Sequence, residues 1–189
     1  MWRLFAAIAF ACMALLLWPD AVAVLRWQRS VLGLLGDVQP WRGLSAHFAH
    51  LGPGHALANL AGMALVIELL GAAVRPAEAL LLLLASALAI IAGLAMLNPT
   101  VAWYVGLSGV VHGWWAGFAV LGWLRRQGWL PAAALGMLLL KLAYWPAGSL
   151  ILQQFSLALL NTAMPAALPV VPQSHVYGAI GGAVAALAL

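Results

Sequence analysis

AEALLLLLASALAIIAGLAML, residues 77–97, is an apolar run carrying one charged group, Glu78, and bounded by Arg75-Pro76 before it and Asn98-Pro99 after it. A helix of about 20 residues crosses a hydrocarbon core of roughly 30 Å, and lipid offers backbone groups no hydrogen-bond partners, so such a run reads as a transmembrane helix. Working outward, turn and charge signals separate further apolar runs at about 4–25, 55–73, 105–124, 129–146 and 173–189. With 77–97 they make six expected spans. The alternating pattern of a β-barrel is absent. The expected fold is therefore an all-α polytopic membrane protein, a single domain over 1–189.

Composition leads to the same class. Hydrophobic residues make up 66% of the 189 and charged residues 6%, with a mean hydropathy of +1.06. A soluble domain carries roughly a quarter charged residues to cover its exterior; four acids and eight bases cannot do this. The net charge of +4 does not indicate nucleic acid, because the arginines stand singly between apolar runs rather than in a basic stripe. They read as loop anchors at lipid headgroups. Cys12, the single cysteine, lies inside the first apolar run as a packing residue, so there is no disulfide framework.

Two separators, about 26–54 and 147–172, are longer than turns. Both fall on one side of the membrane if six helices alternate, and both are too apolar for solvated loops, with Trp27, Trp41, Phe48, Leu150, Ile151, Phe155 and Leu157. They read as interface-lying lids or half-inserted segments, with a seventh short helix at 150–160 as the alternative. The amino-terminal run has the basic Arg3 and an Ala-x-Ala ending at Ala23, as a cleaved signal peptide has. Its bulk up to Trp18 favours a retained first span. Arg3, Arg75, Arg125 and Arg126 on one side against Arg26, Arg29 and Arg42 on the other mildly favour a cytoplasmic amino terminus, with both lids outside.

Polar groups inside spans are costly, which makes each a functional candidate. Here they are His55, Asn59, Glu68, Ser108, His112, Lys141 and His175. His55 and Asn59, four residues apart, share one helical face and can address one target, or can hold the bundle together by interhelical hydrogen bonds. Gly106-Leu107-Ser108-Gly109 sets a serine between glycines at a helix start, where its N–H can serve an anionic oxygen. Gly109, Gly113 and Gly117 form a small-residue ridge that packing alone would also explain. In the last span His175, Gly178 and Gly182 share a face. Two facing glycine ridges would bring the His175 imidazole to the Ser108 hydroxyl, where a neutral ring can take the serine proton and return it to a leaving amine. Candidate oxyanion donors are the Ser108 N–H, the Asn59 amide and a His55 ring N–H. With no Asp placed to orient His175, the pair is a dyad.

Trp41-Arg42, His50, His55, Asn59, Gly106-Leu107-Ser108-Gly109 and His175-Val176-Tyr177-Gly178 with Gly182 resemble, in identity and spacing, the rhomboid intramembrane serine proteases, from about residue 41 to the end. The resemblance implies a six-transmembrane-helix bundle, Ser108 as nucleophile, His175 as base, and His55 and Asn59 as oxyanion helpers, with Gly106, Gly109, His112, Gly178, Gly182 and His50 supporting the site. The wording of residues 104–113, together with the small size, is similar in particular to the rhombosortase branch. That branch implies a bacterial inner-membrane enzyme opening to the periplasm, whose partner is a membrane-anchored substrate with a carboxyl-terminal Gly-Gly, transmembrane and basic tail. Other single-span substrates are the alternative, as is an inactive rhomboid-like binder of membrane segments.

Many rhomboids carry a Tyr four residues after the nucleophile, where this chain has His112. His112 is a rival base by spacing, but is expected to pack or hydrogen-bond beside His175. Glu68 is expected to be a buried structural partner, and Lys141 to snorkel. His47, His50 and His55 cluster, yet without His-Glu-x-x-His or a nearby carboxylate they make a poor metal site, and neither metal nor cofactor is expected.

Overall fold

Pro53, Pro76, Pro131 and Pro172 each stand in the first turn of a helix, where a residue without an N–H loses no hydrogen bond and its fixed φ favours the helical start. The computed structural model describes residues 1–28, 39–144 and 171–189. Among these the order is α1 (Trp2–Leu16), α2 (Ala21–Leu25), β1 (Trp27–Gln28), α3 (Arg42–Ser45), α4 (Pro53–Leu70), a 3₁₀ turn (Gly71–Ala73), α5 (Pro76–Leu97), β2 (Trp103–Tyr104), α6 (Ser108–Leu124), α7 (Leu130–Ala143) and α8 (Pro172–Leu187). The possible helix at 150–160 and most of the lid at 147–172 lie outside the described residues, as do positions 29–38 of the first lid.

Two helical stretches are by themselves long and apolar enough to cross a bilayer: Pro53–Ala73, with mean hydropathy 1.8, and Pro76–Leu97, with 2.7. The outward faces carry Leu57, Leu65, Leu88, Leu139, Ile180 and Val184, all exposed, as suits an all-α membrane fold with lipid against its sides. The first apolar run is not the single helix expected over 4–25. It breaks after Leu16 and resumes at Ala21 because Pro19 cannot donate to a helical ladder.

α6 is the central element. Val110, Trp114, Phe118, Ala119 and Leu121 are buried on it, and it packs against α4, α5, α7 and α8, most extensively α8. The α6–α8 crossing depends on glycine. A Cβ at Gly178 would collide with the carbonyl of Gly109, and one at Gly182 with the carbonyl of Gly113, so the two backbones touch directly. Trp114 Nε1 donates to Ala79 O at 2.9 Å and Trp115 Nε1 to Ala134 O at 2.8 Å, tying α6 to α5 and α7.

Glu78 is the buried acid, 2% exposed, whereas Glu68 faces outward on α4, contrary to expectation. Glu78 accepts from the Arg75 backbone N–H at 2.8 Å, which closes a capping box at the start of α5, and from both terminal nitrogens of Arg125. Arg125 also donates to Ala73 O. The site of the buried carboxylate follows from helix capping rather than from span depth.

Candidate active site

Ser108 opens α6, so its own N–H has no acceptor within the helix. Its Oγ lies 3.0 Å from His175 Nε2, on α8, across 67 residues of sequence. Ser108 is half-buried and His175 almost wholly so. The glycine-to-carbonyl contacts between α6 and α8 set the depth of this approach: Gly109 directly follows the serine, and Gly178 stands three residues after the histidine.

Ser108 lines a cavity of about 330 Å³ with Leu51, His55, Trp103, Tyr104 and Ser174. The segment before it is held tightly. Gly106 N–H donates to Ala46 O at 2.9 Å, and Tyr104 Oη donates to Gly106 O at 2.7 Å. Gly106 has φ +111, a conformation that side chains rarely adopt, and a Cβ there would lie 2.8 Å from His55 Cε1. The pairing of β1 with β2, Trp27 opposite Tyr104, fixes the strand that leads into this turn.

His55 and Asn59, one turn apart on α4, both flank Gly106. The Leu51 N–H points to His55 Nδ1 at 3.5 Å, a long contact. Asn59 is 8% exposed, and its Nδ2 has no hydrogen-bond partner among the described residues. A buried donor without an acceptor costs about 1–3 kcal/mol, so an acceptor oxygen brought to this amide would be bound favourably. His50 donates from Nδ1 to Phe48 O at 3.0 Å and sets its ring edge-on to His55 at 5.0 Å. Outside the spans, burial holds both His47 and His50 down at about 4, with the nearby His55 adding to the effect on His50. No three His, Cys, Asp or Glu side chains among the described residues gather as ligands for a metal.

His112 lies parallel to His175, ring centroids 4.1 Å apart and planes 8° from one another. Its Nδ1 bonds to Ser108 O at 2.7 Å, not to the hydroxyl, which leaves His175 as the imidazole that meets Oγ. Lys141 does not snorkel: its Nζ is within hydrogen-bond reach of His112 Nε2, and the side chain is half-buried. On the far side of α8, Tyr177 Oη donates to Asn98 Oδ1 at 2.6 Å, with its ring against Gly93. Sequence reasoning assigned no role to Tyr104, Ser174 or this tyrosine. Ser174 is buried and donates to Val171 O at 2.7 Å within the first turn of α8, one residue before His175.

A hydroxyl within hydrogen-bond distance of an imidazole, with His55 and Asn59 beside the preceding Gly106, is an arrangement that can carry out acyl transfer. A family model described as Rhomboid domain matches residues 37–189, which contain every one of these side chains. No curated protein and no solved structure gives a match to the chain.

Proposed function

The chain belongs to the rhomboid family of intramembrane proteases, and from that premise we propose that Ser108 and His175 are the catalytic dyad of an active serine endopeptidase. The observation that carries this reading is the 3.0 Å contact between Ser108 Oγ and His175 Nε2. His175 Nε2 takes the hydroxyl proton as Oγ attacks a peptide carbonyl carbon. The tetrahedral oxyanion accepts hydrogen bonds from the Ser108 N–H, Asn59 Nδ2 and His55 Nε2. His175 then returns the proton to the departing amine, leaving an acyl group on Ser108, and water admitted through the cavity hydrolyses that ester by the same proton route.

The full bundle in this reading has six spans, the amino terminus in the cytoplasm and the cavity opening to the periplasmic face of a bacterial inner membrane. The substrate is a membrane-anchored protein cut next to a carboxyl-terminal transmembrane tail. The similarity of residues 104–113 to the rhombosortase branch supports a Gly-Gly-bearing tail as the preferred one.

Detergent-purified protein is incubated with a Gly-Gly-tailed substrate and with an unrelated single-span rhomboid substrate, and the products are mapped by mass spectrometry. Cleavage that vanishes in Ser108→Ala and in His175→Ala is expected, with the Gly-Gly tail cut preferentially. Chelator-sensitive cleavage that survives Ser108→Ala would overturn the serine assignment. Equal cutting of both substrates would overturn the tail preference alone.

A further inference from the structure

The contact between Lys141 and His112 constrains protons. Ser108 O is a carbonyl oxygen and can only accept, so His112 Nδ1, 2.7 Å away, must carry a hydrogen and donate it. Lys141 Nζ meets the other ring nitrogen, Nε2. Two nitrogens can share a hydrogen bond only if one of them lacks a proton, so Lys141 and His112 together hold at most one positive charge. This couple sits directly behind the ring stacked on His175.

We propose that Lys141 is a positioning residue of the site: by donating to His112 Nε2 it fixes His112 as a neutral ring with its proton on Nδ1, so that the proton of Ser108 passes to His175. The inference rests on the dyad reading above and adds a residue from α7 to it. Without this lock His112 Nε2 would be open to a proton of its own. A proton taken up by His112 would place a charge 4.1 Å from the ring that must itself become positive during attack. Lys141 reaches this pair from α7, His175 from α8 and Ser108 from α6 itself, and His55 on α4 acts electrostatically on His175.

The test uses the full-length protein in detergent, with ¹⁵N-labelled histidine and a cleavage assay run over pH. In the wild type the ring-nitrogen shifts of His112 should show a protonated Nδ1 and a bare Nε2 from about pH 5 to 8, the range in which free histidines titrate. In Lys141→Met, His112 should titrate inside that range, and kcat/KM should fall on the acidic side as His112 takes up a proton beside His175. Lys141→Arg, which keeps a cationic donor, should restore the wild-type limb. In a His112→Tyr background, Lys141→Met should change the limb less than it does beside His112, since only the direct effect of the Lys141 charge on His175 is then lost.

A Lys141→Met enzyme with a wild-type limb and uniformly lower activity would overturn the proposal and reduce Lys141 to packing. So would a wild-type His112 bearing its proton on Nε2. If the wild type cleaves nothing and Ser108 does not react with a fluorophosphonate, the dyad reading fails, and the nitrogen shifts still decide whether Lys141 sets the His112 tautomer.

Discussion

Arg125, the residue after α6, reaches Glu78 near the start of α5 with two parallel hydrogen bonds of 2.8 and 2.9 Å. The carboxylate is almost fully covered and the guanidinium about one-third exposed, so this bidentate pair clamps two helices at the end of the bundle remote from Ser108. Arg125→Ala leaves the buried carboxylate with Arg75 alone, while Arg125→Lys cannot reproduce the fork. Thermal melting in detergent should place Ala several degrees below wild type and Lys in between. Turnover at permissive temperature should stay near wild type, because the clamp lies away from the cavity.

Gly178→Ala adds one methyl group where the Gly109 carbonyl already stands. Backbone cannot yield as a side-chain tip can, so α6 and α8 must part. The expected outcome is a protein that expresses poorly or melts well below wild type, and whose surviving fraction cleaves at least 100-fold more slowly, because a misplacement of about 1 Å costs roughly that factor. Gly136→Ala, which meets nothing within 4 Å, is the matched control and should be silent.

Asn59→Ala removes a donor that has no partner among the described residues. If it serves the oxyanion, the loss appears in kcat and not in KM, by about 10²–10³-fold, the scale measured when one such donor is deleted. Its stability should be unchanged or slightly raised, since a buried unsatisfied amide is gone. A structural amide would behave in the opposite way, losing stability with its kcat intact.

His47 and His50 give the fold a pH dependence of calculable sign. Both titrate near 6.5 when unfolded and near 4 when folded, chiefly because burial disfavours the charged ring. Between those values the unfolded chain binds more protons than the folded one, so stability falls as pH drops from 6.5 toward 4 and is level above 6.5. Each ring contributes a slope of at most about 1.4 kcal/mol per pH unit. Melting curves recorded across this window check it, and His47→Phe should flatten the slope.

The features that were readable in the sequence share one cause, a strict local rule. Helix starts follow proline, and the close crossing of α6 with α8 is written in glycines at four-residue spacing on both strands of sequence, Gly109 and Gly113 against Gly178 and Gly182. The features that were not readable depend on distant partners. Glu68 and Glu78 look alike as lone acids in apolar runs, and the buried one is the one that closes the capping box of α5 and also meets Arg125, 47 residues away. Lys141 looks like a snorkelling lysine because its target, His112, lies on another helix. The break at Pro19 was overridden by a continuously apolar composition, which records burial in lipid but says nothing about whether the backbone ladder runs unbroken.

The direct backbone contact of α6 with α8 has a mechanical consequence. Long side chains between helices act as compliant spacers, and these two helices have none at the crossing. In the six-span reading, a bilayer that thins or thickens tilts them as one stiff pair, leaving the hydroxyl-to-imidazole separation unchanged while it alters how deep that pair sits below the headgroups. Acyl-chain length should then govern which peptide bond of a bound segment meets the serine more than how fast the bond is cut.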